Sequence, residues 1–483
     1  MSERSETIAE GLGRYVADRG QAIPLEVRSR ARLAVLDTVG CMIGASGTES
    51  GRRILRYIAG RGGSGTSTAV GIAGGFRAED AGLANGTLAH LLEFDDGHRP
   101  SDNHLGCVVV PAALAMAEET GATVGELLDA VIVGYDVMGR TGEATLLTRD
   151  SSKFHGTGTT GVFGSAAVAA RLLRLDADKA AQAIVIAGTA AAGPKETLKS
   201  GQESKPLHAG RAVMNGITSS YLAAEGFTGP LPLFESEIGF CAAMCSHPRP
   251  EMILKDLGTR YSLVESGFKV HSTCGMLFTT LDGILAARSR HDLHLELPDE
   301  IRVGVPSWLV DDPVFLKRRP SSTGEARFSI PYAAAAGIVD GEVTLRQMTP
   351  EKLRDTRIAL VEDRITVGLD DEIEDVFLRT REDPFFYYGA SIEYDRDGET
   401  FRSVHLTPHG YDPDDLLSAE QVIAKFRATV ELHLDAAAQD ALISHILEAG
   451  DDTPAAAIAG LMGARSVSFD AASFTTSGGE AAR

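Results

Sequence analysis

Long apolar segments dominate the first half of the chain, and their apolar side chains recur at the three- and four-residue spacing of an α-helix. The first segment follows Pro24, a residue suited to the first turn of a helix, and ends near Gly44 and Gly47. Further segments predict helices at residues 79–92, 123–139, 161–175, 177–192 and 211–225, and an apolar, alanine-rich run covers residues 108–119. Because alanine and glycine fill many of these positions, the pattern predicts a tightly packed α-helical bundle.

The pattern changes near Lys269, where shorter segments replace the long helical ones. Strands are predicted at residues 301–305, 364–367, 391–394 and 400–404, and a turn at Asp397-Gly398 joins the last two. Predicted helices at residues 276–288 and 329–339 alternate with them, which indicates a smaller α+β domain. Two more helices, at residues 419–432 and 436–448, are predicted to pack back on the first domain.

These changes of pattern give the predicted domains of a mainly α protein. Residues 1–268 and 411–465 form an all-α helical part, and residues 269–410 form the α+β domain. Residues 466–483 are polar and rich in glycine and serine, which predicts a disordered tail.

The composition narrows the classes of partner. Acidic residues outnumber basic ones, 67 to 46, and the formal net charge is -21. Nucleic acids and anionic membranes are not expected as partners, because both need clustered lysines and arginines. A small anionic ligand would need a locally basic pocket. The charged N-terminus and the lack of an apolar run of about 20 residues predict a cytoplasmic protein without a membrane span.

The five cysteines are an odd number spread over a long chain, which predicts reduced thiols rather than a disulfide framework. Cys241, Cys245 and His247 have a spacing that a zinc ion could use, but no second pair of ligands accompanies them. Small buried thiols are the more ordinary explanation, and we predict no metal there.

The strongest candidate for chemistry is the segment at residues 90–104. Its ionisable side chains are those of His90, Glu93, Asp95, Asp96, His98, Arg99, Asp102 and His104. Carboxyl groups with a reference pKa of about 4 and imidazoles with one of about 6.5 perturb each other when adjacent, and perturbed groups mark sites of proton transfer. The residue types alone fit an acid/base site and a metal site with aspartate and histidine ligands equally well.

Three shorter segments also carry candidate groups. His155 lies in a loop rich in glycine and threonine before a predicted helix, whose N-terminal amides could receive an anion. Lys205 and His208 lie just before another predicted helix, where a solvated basic turn is an equally good explanation. Lys269 and Cys274 lie at the predicted domain junction, a favoured place for a ligand cleft, although a plain linker would look the same.

A fourth segment, residues 317–319, ends in Arg319 and adds positive charge to an acidic protein. A solvated run of charges explains it as well. Together the basic side chains could neutralise a substrate with several carboxylates through charge-assisted hydrogen bonds. The segment at residues 90–104 would then supply the proton transfer.

The order of these motifs resembles that of the MmgE/PrpD family over about residues 7–450. The motifs are His90-Leu91-Leu92-Glu93-Phe94-Asp95-Asp96-Gly97-His98, His104-Leu105-Gly106, Phe154-His155-Gly156-Thr157, Lys205-Pro206-Leu207-His208-Ala209-Gly210-Arg211, Gly226-Phe227-Thr228-Gly229-Pro230, residues 269–274 and Ala326-Arg327-Phe328-Ser329-Ile330-Pro331-Tyr332. That family includes 2-methylcitrate dehydratase, cis-aconitate decarboxylase and iminodisuccinate epimerase. No single motif is decisive, but the series is specific.

The resemblance implies a large all-α domain built from both chain ends and a smaller α+β lid, with the cleft between them. It also implies a homodimer that uses no metal and no organic cofactor. The catalytic positions of the family fall on Glu93, His104, His155, Lys205, Lys269 and Tyr332. We expect further substrate contacts at Asp96, Gly97, His98, His208, Cys274 and Arg319.

Three positions depart from the family pattern. Glu93 stands where many members have aspartate, and Gly97 stands where many have threonine, so one hydroxyl contact is expected to be missing. Cys274 stands where the animal decarboxylases have histidine, although cysteine resembles what the fungal decarboxylases and many dehydratases carry. These departures bear on the substrate and the reaction rather than on the fold.

We therefore predict a cofactor-independent lyase that acts on a di- or tricarboxylate. Lys205, Lys269 and His155 would hold the carboxylates, and His104 would transfer the proton, because an imidazole titrates near neutral pH. A carboxylate of the segment 93–96 would orient His104. A shared enolate-like intermediate would let one scaffold lose water, lose carbon dioxide or invert a centre, so an epimerase is the first alternative. A silent binding protein on the same fold is the second, and the joint presence of the four basic side chains argues against it.

Overall fold

The computed structural model describes residues 6–145, 153–199, 203–381, 383, 385 and 388–463. The first part of the chain forms the elements α1 (Ile8–Ala17), α2 (Leu25–Ser46), α3 (Glu49–Gly60), α4 (Ala78–Leu91), β1 (Asp96–His98), α5 (Gly106–Thr120), α6 (Val124–Glu143), α7 (Gly156–Leu172), α8 (Ala177–Ala187), α9 (Glu196–Lys199), α10 (Ser204–Ala224), α11 (Phe240–Met244) and β2 (Ser266–Phe268). Their buried apolar side chains form one continuous core, with α10 packed between α4 and α7.

The middle of the chain forms a second, smaller unit, which we call the lid. Its elements are α12 (Phe278–His291), β3 (Ile301–Val305), α13 (Ser307–Asp311), α14 (Thr323–Ala326), α15 (Ile330–Asp340), α16 (Thr356–Glu362), β4 (Ile365–Leu369), α17 (Asp371–Thr380), β5 (Ala390–Arg396) and β6 (Glu399–His405). The strands form a sheet in the order β4-β3-β5-β6, in which β3 pairs parallel with β4 and antiparallel with β5. Helix α12 packs on β5 and β6, and the lid has a hydrophobic core of its own.

The chain then returns to the helical unit. Helices α18 (Ala419–Val430) and α19 (Ala436–Leu447) pack against α2, and α20 (Ala456–Gly463) packs against α5 and α19. Their buried residues, such as Phe426 and Leu442, belong to the core of the first part of the chain. The predicted fold class is therefore confirmed, with a large helical unit built from both ends of the chain. The boundaries at residues 269 and 411 stay predictions, and the predicted disordered tail lies outside the described residues.

Helices α4 and α10 approach closely because glycines remove the side chains between them. A Cβ on Gly86 would lie 2.9 Å from the Cα of Gly210, and a Cβ on Gly82 would lie 2.5 Å from a methyl group of Val213. Since the later residue of α4 meets the earlier residue of α10, the two helices run antiparallel. The end of α4 is thereby brought beside the start of α10.

Strands β1 and β2 form a small antiparallel sheet that anchors the segment at residues 90–104. Asp96 pairs with Phe268, and His98 pairs with Ser266. Because Lys269 follows Phe268 directly, the pairing brings Lys269 beside the residues that precede β1. A local backbone ladder thus joins two parts of the chain that are far apart in sequence.

Most predicted elements are confirmed, with shifts at their ends. The largest shift is that of α10, which begins at Ser204 rather than at residue 211, with Pro206 in its first turn. Lys205 and His208 therefore lie on a helix, and the alternative explanation of this segment as a solvated basic turn is wrong. Several helices have no predicted counterpart, namely α1, α3, α9, α11, α13, α14, α16, α17 and α20. No helix in the described part of the chain is long and apolar enough to cross a bilayer.

Gly210→Ala tests the close approach of α4 and α10. The new Cβ would lie 2.3 Å from the carbonyl oxygen of Leu83, so the helices would have to separate. We expect the free energy of unfolding, measured by urea denaturation, to fall by about 1–3 kcal/mol. Gly460→Ala is the control, because it also lies on a helix and its Cβ would meet no atom within 4 Å. Wild-type stability of the Gly210→Ala variant would contradict the proposed packing constraint.

Candidate active site

Helix α4 delivers Glu93 to the interior. The helix ends at Leu91, and Glu93 then adopts a left-handed backbone conformation with a φ of 50°. Such a residue reverses the chain at a helix end, and for a residue other than glycine the conformation costs about 1–2 kcal/mol. The side chain is 6% exposed and lies between α10 and the segment that follows β2. The strained turn is therefore combined with a buried carboxylate.

The Glu93 carboxylate lies between two buried ammonium groups. Lys205 Nζ, in the first turn of α10, donates to Glu93 Oε1, and Lys269 Nζ donates to Oε2 at 3.0 Å. Burial alone would raise the pKa of Glu93, but the two ammonium groups hold it well below its ordinary value. Burial would likewise lower the pKa of Lys269, and the Glu93 charge raises it instead. Glu93 and Lys269 therefore stay ionised at neutral pH.

His90 connects this ion cluster to Asp95. Its Nδ1 lies 2.8 Å from Asp95 Oδ2, and its Nε2 lies 3.0 Å from Lys205 Nζ. An ionised carboxylate only accepts hydrogen bonds and an ammonium group only donates them. Nδ1 of His90 is therefore assigned the hydrogen, and Nε2 accepts from Lys205. His90 is fully buried, so both of its nitrogens are used for structure.

His104 lies beside the same carboxylate and its tautomer is also defined. Its Nδ1 lies 2.7 Å from the backbone carbonyl oxygen of Asp96 and 3.5 Å from Asp95 Oδ2. Both oxygens are acceptors, so Nδ1 carries the hydrogen and Nε2 keeps its lone pair. Burial lowers the pKa of His104 to about 3, although the Asp95 charge opposes this. At neutral pH His104 is therefore an unprotonated imidazole, the form that a general base requires.

Two further imidazoles extend the cluster. The ring centroid of His90 lies 4.6 Å from that of His104 and 5.6 Å from that of His155, the residue that precedes α7. His155 Nδ1 lies 3.2 Å from His208 Nδ1, so one of these rings donates to the other. Burial lowers the pKa of His155 well below its ordinary value and that of His208 to about 4. Both rings are therefore neutral near pH 7.

A cavity of about 320 Å³ lies against this cluster, between the helical unit and the lid. The helical unit contributes Glu93, His104, His155 and Lys205 to its wall. The lid contributes the aromatic side chains of Trp308, Phe315, Phe328 and Phe377. The family resemblance implies a cleft at this place. The ionisable cluster of the wall comes from the helical unit, and its four aromatic rings come from the lid.

The structure places six of the twelve predicted site residues on the wall of this cavity. Those that line it are Glu93, His98, His104, His155, Lys205 and Cys274. His208 lies behind His155, and Lys269 is fully buried behind Glu93, where it also donates to the carbonyl oxygen of Thr273 at 3.3 Å. Lys269 is therefore placed to hold Glu93 rather than on the cavity wall, and its contact with a substrate carboxylate stays a prediction.

Asp96 is buried and supports the wall from behind. Its carboxylate accepts hydrogen bonds from the Gly106 N–H and the Tyr135 hydroxyl, both at 2.8 Å. Burial, together with the Asp95 charge, raises the pKa of Asp96 to about 7. The side chain of Asp96 is thus used within the protein, and its contact with a substrate stays a prediction.

Tyr332 and Arg319 are not brought to the site. The Tyr332 hydroxyl donates to the carbonyl oxygen of Gln347 at 2.7 Å inside the lid core, and Tyr332 is not among the described residues that line the cavity. Arg319 donates to Glu362 and, at 2.7 Å, to Asp363 at the edge of the lid. Its positive charge is neutralised there. The structure therefore does not bring these two predicted site residues to the cavity.

The space that a side chain at Gly97 would occupy is taken by a tyrosine. A Cβ on residue 97 would lie 1.3 Å from the hydroxyl oxygen of Tyr411, which lines the cavity from the segment between β6 and α18. Burial raises the pKa of Tyr411 well above its ordinary value, so the hydroxyl keeps its proton. The hydroxyl that the sequence predicts to be missing at Gly97 is therefore replaced at nearly the same place by that of Tyr411.

Sequence reasoning gave no role to His90, Arg99 or Tyr411. The sequence signal for His90 is its position on the last turn of α4, three residues before Glu93. Arg99 lines the cavity and donates to Asp412 at 2.6 Å, so it ties the segment to the C-terminal part of the chain. Tyr411 has no sequence signal of its own, because its position depends on a contact with a glycine more than three hundred residues earlier.

Some described residues place possible metal donors within 4.8 Å of one another. The groups are His90, His104 and His155, then His90, Asp95 and Cys107, and then His98, Glu143 and Glu265. In the first two, His90 already bonds Lys205, whose charge opposes a cation. In the third, both carboxylates bind Arg260. The donor sets therefore favour acid/base chemistry. Cys241, Cys245 and His247 form no such group in the described part of the chain.

Comparison with known proteins gives the same assignment as the motifs. The family model of the MmgE/PrpD N-terminal domain matches residues 10–253, and that of the MmgE/PrpD C-terminal domain matches residues 271–449. The cis-aconitate decarboxylase-like protein oryM of Aspergillus oryzae (strain ATCC 42149 / RIB 40) is 24% identical over 437 residues, or 86% of this chain and 88% of the relative.

Two mammalian proteins are also similar over shorter stretches. Cis-aconitate decarboxylase of Mus musculus is 28% identical over 334 residues, which are 65% of this chain and 66% of that protein. Cis-aconitate decarboxylase of Homo sapiens is 29% identical over 273 residues, which are 55% of this chain and 56% of that protein. Since the two family models follow each other along most of the chain, this protein belongs to the MmgE/PrpD family.

Proposed function

We propose that this protein is a lyase that transfers a proton at the carbon next to a carboxylate of a small di- or tricarboxylate. The observation that carries the proposal is the unprotonated Nε2 of His104 on the wall of a cavity that Lys205 also lines. The relatives named cis-aconitate decarboxylase support the same class of reaction. The other family expectations, a cytoplasmic homodimer without metal or organic cofactor, belong to the same proposal.

Lys205 is the residue proposed to bind the reacting carboxylate. Its ammonium group is held by Glu93 and His90, so little side-chain entropy is lost when a substrate binds. His155 lines the same cavity, and its Nε2 can donate to a carboxylate when its Nδ1 accepts from His208. Lys195 lines the same cavity and offers a second cation. Charge-assisted hydrogen bonds of this kind are strong in a buried site.

The first candidate reaction is decarboxylation, which the names of the relatives favour. The bond between carbon and one carboxylate breaks, carbon dioxide leaves, and the electron pair moves into the neighbouring unsaturated carboxylate. Lys205 stabilises the enolate-like charge. His104 delivers to carbon a proton that it has taken from solvent, which balances the reaction.

The second candidate is dehydration, which the neutral state of His104 favours. Nε2 removes the proton next to the carboxylate, and hydroxide leaves with a proton from a second acid, as water. Return of the first proton to the other face would instead invert the centre. All three outcomes use the same base and the same stabilised charge, and they differ only in the group that leaves.

NMR in D2O distinguishes these reactions. Purified protein is incubated with cis-aconitate, with 2-methylcitrate and with an aspartate-derived imine. We expect loss of carbon dioxide from the first, with one deuterium in the product, or loss of water from the second. Exchange at a retained centre would indicate epimerisation. No reaction and no solvent exchange with any polycarboxylate tried would contradict the lyase proposal.

His104→Ala tests the proposed base. We expect kcat to fall by at least about 10²-fold, because general acid/base catalysis contributes about 10²- to 10⁴-fold. Circular dichroism and the melting temperature should stay near those of the wild type. His294→Ala, an exposed histidine in the loop after α12, is the matched control and should keep the full rate. A His104→Ala protein with a near wild-type rate would exclude this role.

Glu93→Gln tests the ion cluster through its pH dependence. The variant leaves two buried ammonium groups without their carboxylate, so the free energy of unfolding at pH 7 should fall by about 3–5 kcal/mol. In the folded protein the pKa of Glu93 lies below its ordinary value of 4.5, so its stabilisation is complete above that pH and is lost as the pH falls through the lower folded value. The difference between wild type and variant should therefore be constant from about pH 8 to about pH 5.5 and shrink below about pH 4.5.

Urea denaturation across this pH range provides the measurement for Glu93→Gln. Glu351→Gln is the control, because the Glu351 side chain is 78% exposed and pairs only loosely with Arg354 at 3.9 Å. It should change the stability by less than about 0.5 kcal/mol. Equal stability of Glu93→Gln and the wild type at pH 7 would contradict the role of this carboxylate.

A further inference from the structure

The lid side of the cavity is a continuous row of aromatic rings that starts at the proposed catalytic lysine. Lys205 Nζ lies 5.9 Å from the ring centroid of Phe328. Successive centroids are then 6.5 Å apart from Phe328 to Phe315, 6.2 Å from Phe315 to Trp308, and 5.9 Å from Trp308 to Phe377. All four rings line the cavity. We call Phe328, Phe315, Trp308 and Phe377 the aromatic row.

The row belongs to a larger apolar wall that includes Met244, Met276 and Val314. Phe315 and Phe328 are buried in the lid core. Trp308 and Phe377 are half-buried. Apolar surface that faces water in a cavity is unfavourable until a ligand covers it. The chemistry of this wall therefore requires an apolar part of the ligand.

The charges on the cavity wall cancel. In the described part of the chain, the charged residues that line it are the acids Glu93, Asp102 and Asp312 and the bases Arg99, Lys195 and Lys205. Of the bases, Arg99 already binds Asp412 and Lys205 already binds Glu93. A compact tricarboxylate with three negative charges close together would meet no excess of positive charge. A ligand whose negative charge is confined to the end near Lys205 fits better.

We propose that the substrate is a dicarboxylate with an apolar arm, an alkyl or aryl group of several carbons that lies along the aromatic row. The inference rests on the proposed function for the place of the carboxylates, near Lys205 and His104, and adds the substrate class. Trp308 and Phe377 become the residues that determine specificity. They lie at the far end of the row, so they contact only a substrate whose arm is long enough to reach them.

Isothermal titration calorimetry of the full chain with succinate, butylsuccinate, hexylsuccinate and benzylsuccinate tests this class directly. Each methylene that leaves water should strengthen binding by about two- to fourfold. We expect hexylsuccinate to bind at least about 50-fold more tightly than succinate, and benzylsuccinate to bind more tightly than succinate as well. Equal affinities along the series would overturn the proposal. Binding is measured without turnover, so the result does not depend on which reaction the protein catalyses.

Two variants locate the arm. In Trp308→Ala and in Phe377→Ala, the ratio of hexylsuccinate affinity to succinate affinity should fall by at least about tenfold. Phe377 is half-buried on α17, so Phe377→Ala is expected to fold. It tests the proposal independently if Trp308→Ala does not fold. Phe401→Ala is the control, since its ring stacks on Tyr394 at 5.7 Å in the lid sheet, and it should keep the wild-type ratio.

An unchanged ratio in both cavity variants would overturn the proposal, as would an equal loss in Phe401→Ala. The two proposals fail in different ways. Selective binding of hexylsuccinate without any reaction of a polycarboxylate would contradict the proposed function and leave the apolar arm in place. Turnover of a polycarboxylate with flat affinities along the series would do the reverse.

Discussion

The site depends on one electrostatic constraint, which is that buried ammonium groups need a carboxylate to remain charged. Glu93 meets this need for Lys205 and Lys269 at once. The three residues come from the end of α4, the start of α10 and the segment after β2. They meet only if the glycine-mediated crossing of α4 and α10 and the pairing of β1 with β2 are both formed. The interaction that arranges the chemistry is therefore also the one that requires the correct tertiary packing.

The hydrogen-bond network that extends from this cluster leaves one ring nitrogen, Nε2 of His104, as a free acceptor among His90 and His104. Lys205 donates to His90, and His90 donates to Asp95. Each hydrogen position follows because the ammonium group can only donate and the carboxylate can only accept. His104 is fixed in the same manner by the Asp96 carbonyl oxygen. Its Nε2 is the remaining acceptor of these two rings, and it belongs to a residue that lines the cavity. The network explains why burial leaves His104 neutral and oriented at the same time.

How much of this the sequence predicts depends on the range of each signal. Hydrophobic periodicity reports which face of an element is buried, and it predicted the helices, the strands of the lid and the return of the C-terminal helices. The density of ionisable groups predicted the segment at residues 90–104. Periodicity does not report which elements touch, and it placed the start of α10 too late. The family resemblance, not periodicity, assigned Tyr332 to the site, whereas in the structure its hydroxyl bonds Gln347. Arg319 failed for a similar reason, because the charges that neutralise it lie on another element. The pairing of Gly97 with Tyr411 could not be read from either residue alone.

The two walls of the cavity come from units with separate hydrophobic cores. This division determines how a substitution in one unit affects the site. His104, Glu93 and Lys205 depend on contacts within the helical unit and on the short segment after β2. The aromatic rings depend on contacts within the lid. A substitution in the lid can therefore alter what fits in the cavity without moving the base or its counter-ions. Tyr411 is the exception, because it lines the cavity from the lid connection and also fills the space over Gly97 in the catalytic segment. A change at either position must be matched at the other, so this pair couples the shape of the cavity to the segment that carries the base.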